Sequence, residues 1–242
     1  MSAPDPVQNP ARNAVSSCSR LTASVLVAVA LLAPACKPKG TVDPSIVAAE
    51  QAGAWAIHEA LETRILAGSA SEADRAAAVE KVRAAADDGS AAYAYARAAV
   101  AGRLAELRGL QALDLIEEVQ TWALKAIERD ADFQGMAPQR MVGTLYVLAG
   151  KHLKHGDSEE GLEFLEAVVE AHPDAAVNHL RLAQGYIALG DPEPGLEGLC
   201  LARAGRDTLT KEEQVLLDRL VEDVGGSDAL GCEEPSAEGE TP

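Results

Sequence analysis

Aromatic side chains are scarce in this 242-residue chain, which has two Phe, two Trp and four Tyr. With so few rings and so much alanine, its core must come from helices packed at short range. No segment alternates apolar and polar residues with turns at strand spacing, which argues against a β-sandwich or barrel. The apolar run Leu21 to Ala33 is 13 residues long, short of the ~20 that a helix needs to cross the hydrocarbon core. Positive charge is in short supply, with 21 Lys and Arg against 38 Asp and Glu and a net charge of −17. Nucleic acid and anionic headgroups are therefore poor partners. There is no Gly-rich phosphate loop after a strand and no nucleophile elbow, and the carboxylates lie mostly along solvated helix faces. Neither an enzyme nor a bound cofactor is expected.

The N-terminal segment has the layout of an export signal. Arg12 and Arg20 precede the apolar run, and small residues lead to Cys36. Leu31-Leu-Ala-Pro-Ala-Cys36 resembles a bacterial lipobox, which implies a signal peptide over residues 1–35 and acylation of Cys36. The acyl chains then anchor the protein without a spanning helix, at about 0.8 kcal/mol per buried methylene. Removing residues 1–35 takes away two arginines and Asp5, which moves the net charge from −17 to −18. Lys37 stands where an Asp commonly retains such proteins at an inner membrane, so a periplasm-facing site on the outer membrane is expected. Residues 36–43 form a short tether. Cys18 leaves with the signal, so Cys200 and Cys232 are left either to pair in an oxidising compartment or to remain a buried thiol and a loose tail thiol.

Beyond the tether, caps and periodicity predict helices almost continuously. Asp43 before Pro44 opens a helix to about Leu66, closed by Gly68. Ser71 with Asp74 opens a second, to about Ala86. Two more run from about Ser90 to Arg108 and from Leu110 to Arg129. Leu148, Ala149, Gly156, Asp157, Glu159, Gly161, Leu162, Glu163 and Leu165 then recur identically 34 residues later, as Leu182 through Leu199. That period marks tetratricopeptide-like helix–turn–helix units. A bulky and a small residue on each first helix face a glycine, Gly161 or Gly195, on the second. Thr210 and Glu213 form a capping box for a last helix to about Val224. The fold class expected is all-α, a superhelix of about four helical hairpins over residues 44–224 with a C-terminal capping helix. An acidic tail, residues 225–242, follows and is disordered unless Cys232 pins it.

Such arrays bind on the concave face, lined by the first helix of each pair. Counting the repeat from Val142 and Ala176 places Tyr146, Leu153, Lys154, Val177, Leu180, Gln184 and Ile187 there. This largely apolar set suits a hydrophobic ligand or segment. The alternative is that the terminal helix or another subunit covers that face. Arg97, Arg103, Arg108 and Arg140 are read as ion-pair partners within the stack or as a carboxylate clamp. His152 and His155 have metal-ligand spacing but no third ligand, so no metal site is assigned.

Over residues 90–222 the chain resembles the tetratricopeptide T component of tripartite ATP-independent periplasmic (TRAP) transporters, often called TatT. The likeness rests on Ala91-Ala-Tyr-Ala-Tyr-Ala-Arg, Ala105-Glu-Leu-Arg-Gly, Lys125-Ala-Ile-Glu-Arg-Asp, Gly143-Thr-Leu-Tyr, the Gly156-Asp-Ser-Glu-Glu-Gly run, His172-Pro-Asp and Asn178-His-Leu-Arg-Leu-Ala. The resemblance implies a periplasmic lipoprotein that docks a solute-binding P component and receives or passes a hydrophobic ligand, and that can form a homo-trimer. A general scaffold for cell-envelope assembly, with an extended peptide in its groove, is the alternative. Where the family carries a Pro- and aromatic-rich loop after Gly-x-Leu-Tyr, this chain runs straight to Gly156. No ligand residue transfers from the family.

Overall fold

The computed structural model describes residues 40–232, without the side chains of Leu110 and Gln111. The expected signal peptide, Cys36, most of the tether and the last ten residues lie outside the described residues. Eleven helices follow one another, with no strand among the described residues: α1 (Pro44–Ala49), α2 (Ala54–Leu66), α3 (Glu72–Ala84), α4 (Ala91–Arg108), α5 (Leu113–Arg129), α6 (Ala137–Ala149), α7 (Ser158–Ala171), α8 (Ala176–Leu189), α9 (Leu196–Ala204), α10 (Lys211–Asp223) and α11 (Ser227–Leu230). None is long and apolar enough to cross a membrane. α2 with α3, α4 with α5, α6 with α7 and α8 with α9 pack as hairpins, and α10 lies on α8 and α9. The all-α helical-hairpin superhelix with a terminal capping helix is thus observed.

Local sequence explains most helix boundaries. Asp43 caps α1 by accepting from the Ser45 N–H at 2.9 Å. Reciprocal capping boxes start α3, between Ser71 and Asp74, and α10, between Thr210 and Glu213. The helix expected over residues 44–66 is instead broken in two. Gly53 takes φ 96° and ψ −177°, a conformation open to glycine alone, and this turn lets Ile46 and Ile57 both become fully buried.

Between α6 and α7 the close crossing falls at Gly143 and Tyr146, not at Leu148-Ala149 where the spacing placed it. A Cβ on Gly143 would sit 2.8 Å from the carbonyl oxygen of Gly161, so the two backbones cross almost in contact. In the next hairpin a Cβ on Gly195 would lie 3.2 Å from Ala183 Cα. The two repeats are not equivalent, however. Ala183 is fully buried and Leu182 half-buried, whereas α6 ends in a 3-10 turn, Gly150–His152, and leaves their counterparts Ala149 half-buried and Leu148 47% exposed.

Cys200 and Cys232 are joined in a disulfide. It ties the segment after α10 back onto α9, and Leu230 of α11 is buried in the same apolar cluster as Leu199, Leu217 and Leu220. Packed structure therefore continues past residue 224, the expected end of the array, as far as Cys232.

The joint below the tether is held by charge. Asp74, whose side chain is 1% exposed, accepts from the backbone N–H groups of Asp43 at 2.7 Å and Ser71 at 2.9 Å and from the Ser71 hydroxyl. Arg64 bridges Asp74 and Asp43, at 3.3 and 2.6 Å. Burial pushes the Asp74 carboxyl up, but those donors and Arg64 outweigh it and hold the pKa below its ordinary value.

Candidate ligand cavity

The first helices of successive hairpins, α2, α4, α6 and α8, together with α10 and part of α5, surround a cavity of about 780 Å³. Its origin lies in the packing. α2 rests on α4 and α6 rests on α8, while α4 and α6 have no comparable contact and both line the space between them. The apolar lining comes mainly from Ala99 and Ala105 of α4, Ile116 and Val119 of α5, and Met141, Leu145 and Leu148 of α6. A volume of this size matches the usual range for small-molecule sites, about 300–1,000 Å³.

Aromatic rings form one shoulder. Trp55, His58, Tyr95 and Phe133 stack with centroids 5.0–6.4 Å apart, and His58 and Tyr95 reach the cavity. Phe133 is delivered by the Asp130–Met136 turn, where Gln134, Gly135 and Met136 all have positive φ. Burial lowers the His58 pKa, against the opposing pull of Glu62, and raises that of Tyr95. His58 Nδ1 is buried without a hydrogen-bond partner among the described residues.

Three arginines and three glutamates also line the cavity. Arg103 is saturated. It grips Glu62 through Nε and Nη2 at 2.8 and 2.7 Å, and its Nη1 reaches Glu106 at 3.3 Å and Glu212 at 3.0 Å. α2, α4 and α10 are thereby tied together, and the carboxylates outweigh burial to raise the guanidinium pKa. Arg140 and Arg181 stand apart. Arg140 donates to Asn178 Oδ1 at 2.8 Å and Arg181 to Gln184 Oε1 at 3.0 Å, and among the described residues neither has a carboxylate within ion-pairing distance. Burial lowers both pKa values, with Glu213 opposing in each case, and the charge of Arg140 further lowers that of Arg181.

The expected groove residues all lie elsewhere. Tyr146 is 3% exposed and accepts from Gln120 Nε2 at 2.8 Å, and Leu180 is fully buried. Gln184 is buried, while Val177 and Ile187 pack partly buried against the C-terminal core. Leu153 packs beside Tyr146 in a smaller cluster, and Lys154 is exposed, 3.5 Å from Glu117. None of the seven lines the cavity. The first helices do line the cavity, but the register is shifted. On α6, Gly143 and Tyr146 seat the second helix against Gly161, so the lining falls on the next stripe around that helix: Arg140, Met141, Thr144, Leu145 and the recurring Leu148.

Of the four arginines picked out by sequence, Arg97 pairs with Glu118 at 2.9 Å and Arg108 with Glu72 at 3.4 Å, so both serve the stack. Arg103 and Arg140 reach the cavity, and Arg181 was missed. Its signal was that it is the one Lys, Arg, Asp or Glu of α8, set between Leu180 and Leu182. Among the described residues no three His, Cys, Asp or Glu side chains are grouped to hold a metal, His152 and His155 included. No protein-family model matches the chain, and no curated protein matches its sequence.

Proposed function

We propose that this chain is an exported, lipid-anchored binding module whose ligand site is the cavity among α2, α4, α6 and α8. That cavity carries the reading. It is a largely apolar space of about 780 Å³ lined by the first helices of a helical-hairpin array, the size and surface that bury a small hydrophobic molecule. The lipobox-like segment ending at Cys36 supports the anchor, and the Cys200–Cys232 disulfide suits an oxidising compartment outside the cytosol. Docking of the periplasmic solute-binding component of a TRAP-type transporter, with the ligand handed between the two, follows from the sequence resemblance over residues 90–222.

The test is affinity capture with the purified chain from its own periplasmic extract, combined with mass spectrometry of what is retained. A TRAP-type solute-binding protein among the captured proteins is the expected result, with a small apolar molecule released on denaturation. Capture of envelope-assembly proteins through an extended peptide, with no small molecule released, would replace the transport reading with that of a scaffold. Labelling with an alkyne fatty acid that is lost on Cys36→Ser is the expected sign of the anchor.

A further inference from the structure

The two arginines without ion-pair partners say more about what the cavity holds. On formal charge its lining looks balanced, with Arg103, Arg140 and Arg181 facing Glu62, Glu106 and Glu213. The carboxylates are already engaged. Glu62 and Glu106 bind Arg103, and Glu213 accepts from the backbone N–H and hydroxyl of Thr210, both at 2.9 Å, in its capping box. In a chain of net charge −17, two half-buried guanidinium groups are thus left, among the described residues, without a carboxylate at ion-pairing distance, Glu213 acting on both only from further off. A desolvated unpaired charge is costly, and arginine cannot lose its proton to escape the cost.

Both heads are also aimed. Asn178, 1% exposed, donates to the His172 carbonyl oxygen at 3.0 Å while accepting from Arg140, and Gln184 takes one donor of Arg181. Each guanidinium has five N–H donors in a rigid fork, so most remain available after those single contacts. Tyr95, which lines the cavity from α4, makes no hydrogen bond through its hydroxyl among the described residues. Away from these polar groups the lining turns to Ile116, Val119, Met141 and Leu145.

We infer that the cavity takes a long-chain carboxylate, its head held by Arg140 and Arg181 and its hydrocarbon chain laid against α5 and α6. The Tyr95 hydroxyl supplies a further donor to the head. A dicarboxylate fits poorly, because its second charge would meet either the apolar wall or Glu62 and Glu106. The inference rests on the cavity being the ligand site, and the experiment separates the two.

Equilibrium binding of laurate and of dodecanol to the delipidated full chain compares the same hydrocarbon with and without the charged head. Trp55 gives the readout, since it stacks on His58 and Tyr95. Laurate is expected to bind at least about tenfold more tightly than dodecanol, the worth of one charge-assisted hydrogen bond. Joint Arg140→Gln and Arg181→Gln substitution should remove that advantage and leave dodecanol unchanged, with folding checked by circular dichroism. If the double variant does not fold, the laurate-to-dodecanol ratio of the unaltered chain decides alone. Equal affinities would overturn the carboxylate assignment and keep the cavity as the site, whereas binding of neither probe would overturn both.

Discussion

Gly143→Ala is the sharpest test of how the hairpins are built. The added methyl would lie 2.8 Å from both the Gly161 carbonyl oxygen and Leu165 Cγ, whereas ordinary contact begins near 3.4 Å. α6 and α7 must therefore part by about 0.6 Å along a crossing where one of the obstructing atoms is backbone. Overpacking of this kind costs about 1–3 kcal/mol. Alanine recovers at most about 1 kcal/mol over glycine in a helix interior. Because a carbonyl cannot rotate aside as a side chain can, the upper part of that range applies, and the net loss should be about 1–2 kcal/mol. For a domain of this size that lowers Tm by roughly 2–8 °C. Gly102→Ala is the paired control. It is also mid-helix, but its new Cβ would meet only Val119 Cγ2, at 3.7 Å, so it should be neutral or stabilise by up to about 1 kcal/mol. Thermal and urea unfolding followed by far-UV circular dichroism measures both. Should Gly143→Ala prove as stable as Gly102→Ala, the close crossing of α6 and α7 is wrong.

Other perturbations probe other links. Cys232→Ser, or reduction of the native chain, opens a loop of 32 residues and should cost about 3–4 kcal/mol on the chain-entropy model, visible as a lower urea midpoint; an unchanged midpoint would mean that α11 is held by packing alone. Asp74→Asn weakens charge-assisted bonds to Asp43, Ser71 and Arg64 and should cost about 2–3 kcal/mol at neutral pH. Its folded pKa is depressed, so the native contribution is complete above the ordinary value of 3.8 and is lost as pH falls through the folded value; acid unfolding of Asp74→Asn should lack that step. His58 is also depressed, by burial, so below pH 6.5 the unfolded chain binds a proton that the folded one refuses, and stability should decline there until the folded value is passed. His58→Leu should flatten that segment of the stability–pH curve, and an unaltered slope would show that His58 is not the group responsible.

Much of this molecule is written locally. Ser71 with Asp74 and Thr210 with Glu213 announce helix starts because a capping box closes within a single turn. The 34-residue repeat revealed the α6–α7 and α8–α9 hairpins and the crossing of Gly195 on Ala183, since partners in a hairpin are neighbours in sequence. Gly53 was the local exception. Periodic apolar residues on both sides concealed a break that depends on Ile46 and Ile57 sharing one core.

The cavity was decided by the tertiary structure. It exists because α4 and α6 fail to close on each other, a matter of how whole hairpins stack, and no local spacing encodes that. The register of its lining followed the same rule. Packing turned Tyr146 and Leu180, the groove positions counted from the repeat, inward and left Thr144, Leu145 and Arg181 to face the cavity. An arginine that is the only charged residue of its helix reads the same whether or not it has a partner. Only the folded chain shows that Arg103 meets Glu62, 41 residues away, and Glu212, 109 residues away, while Arg140 and Arg181 meet amides.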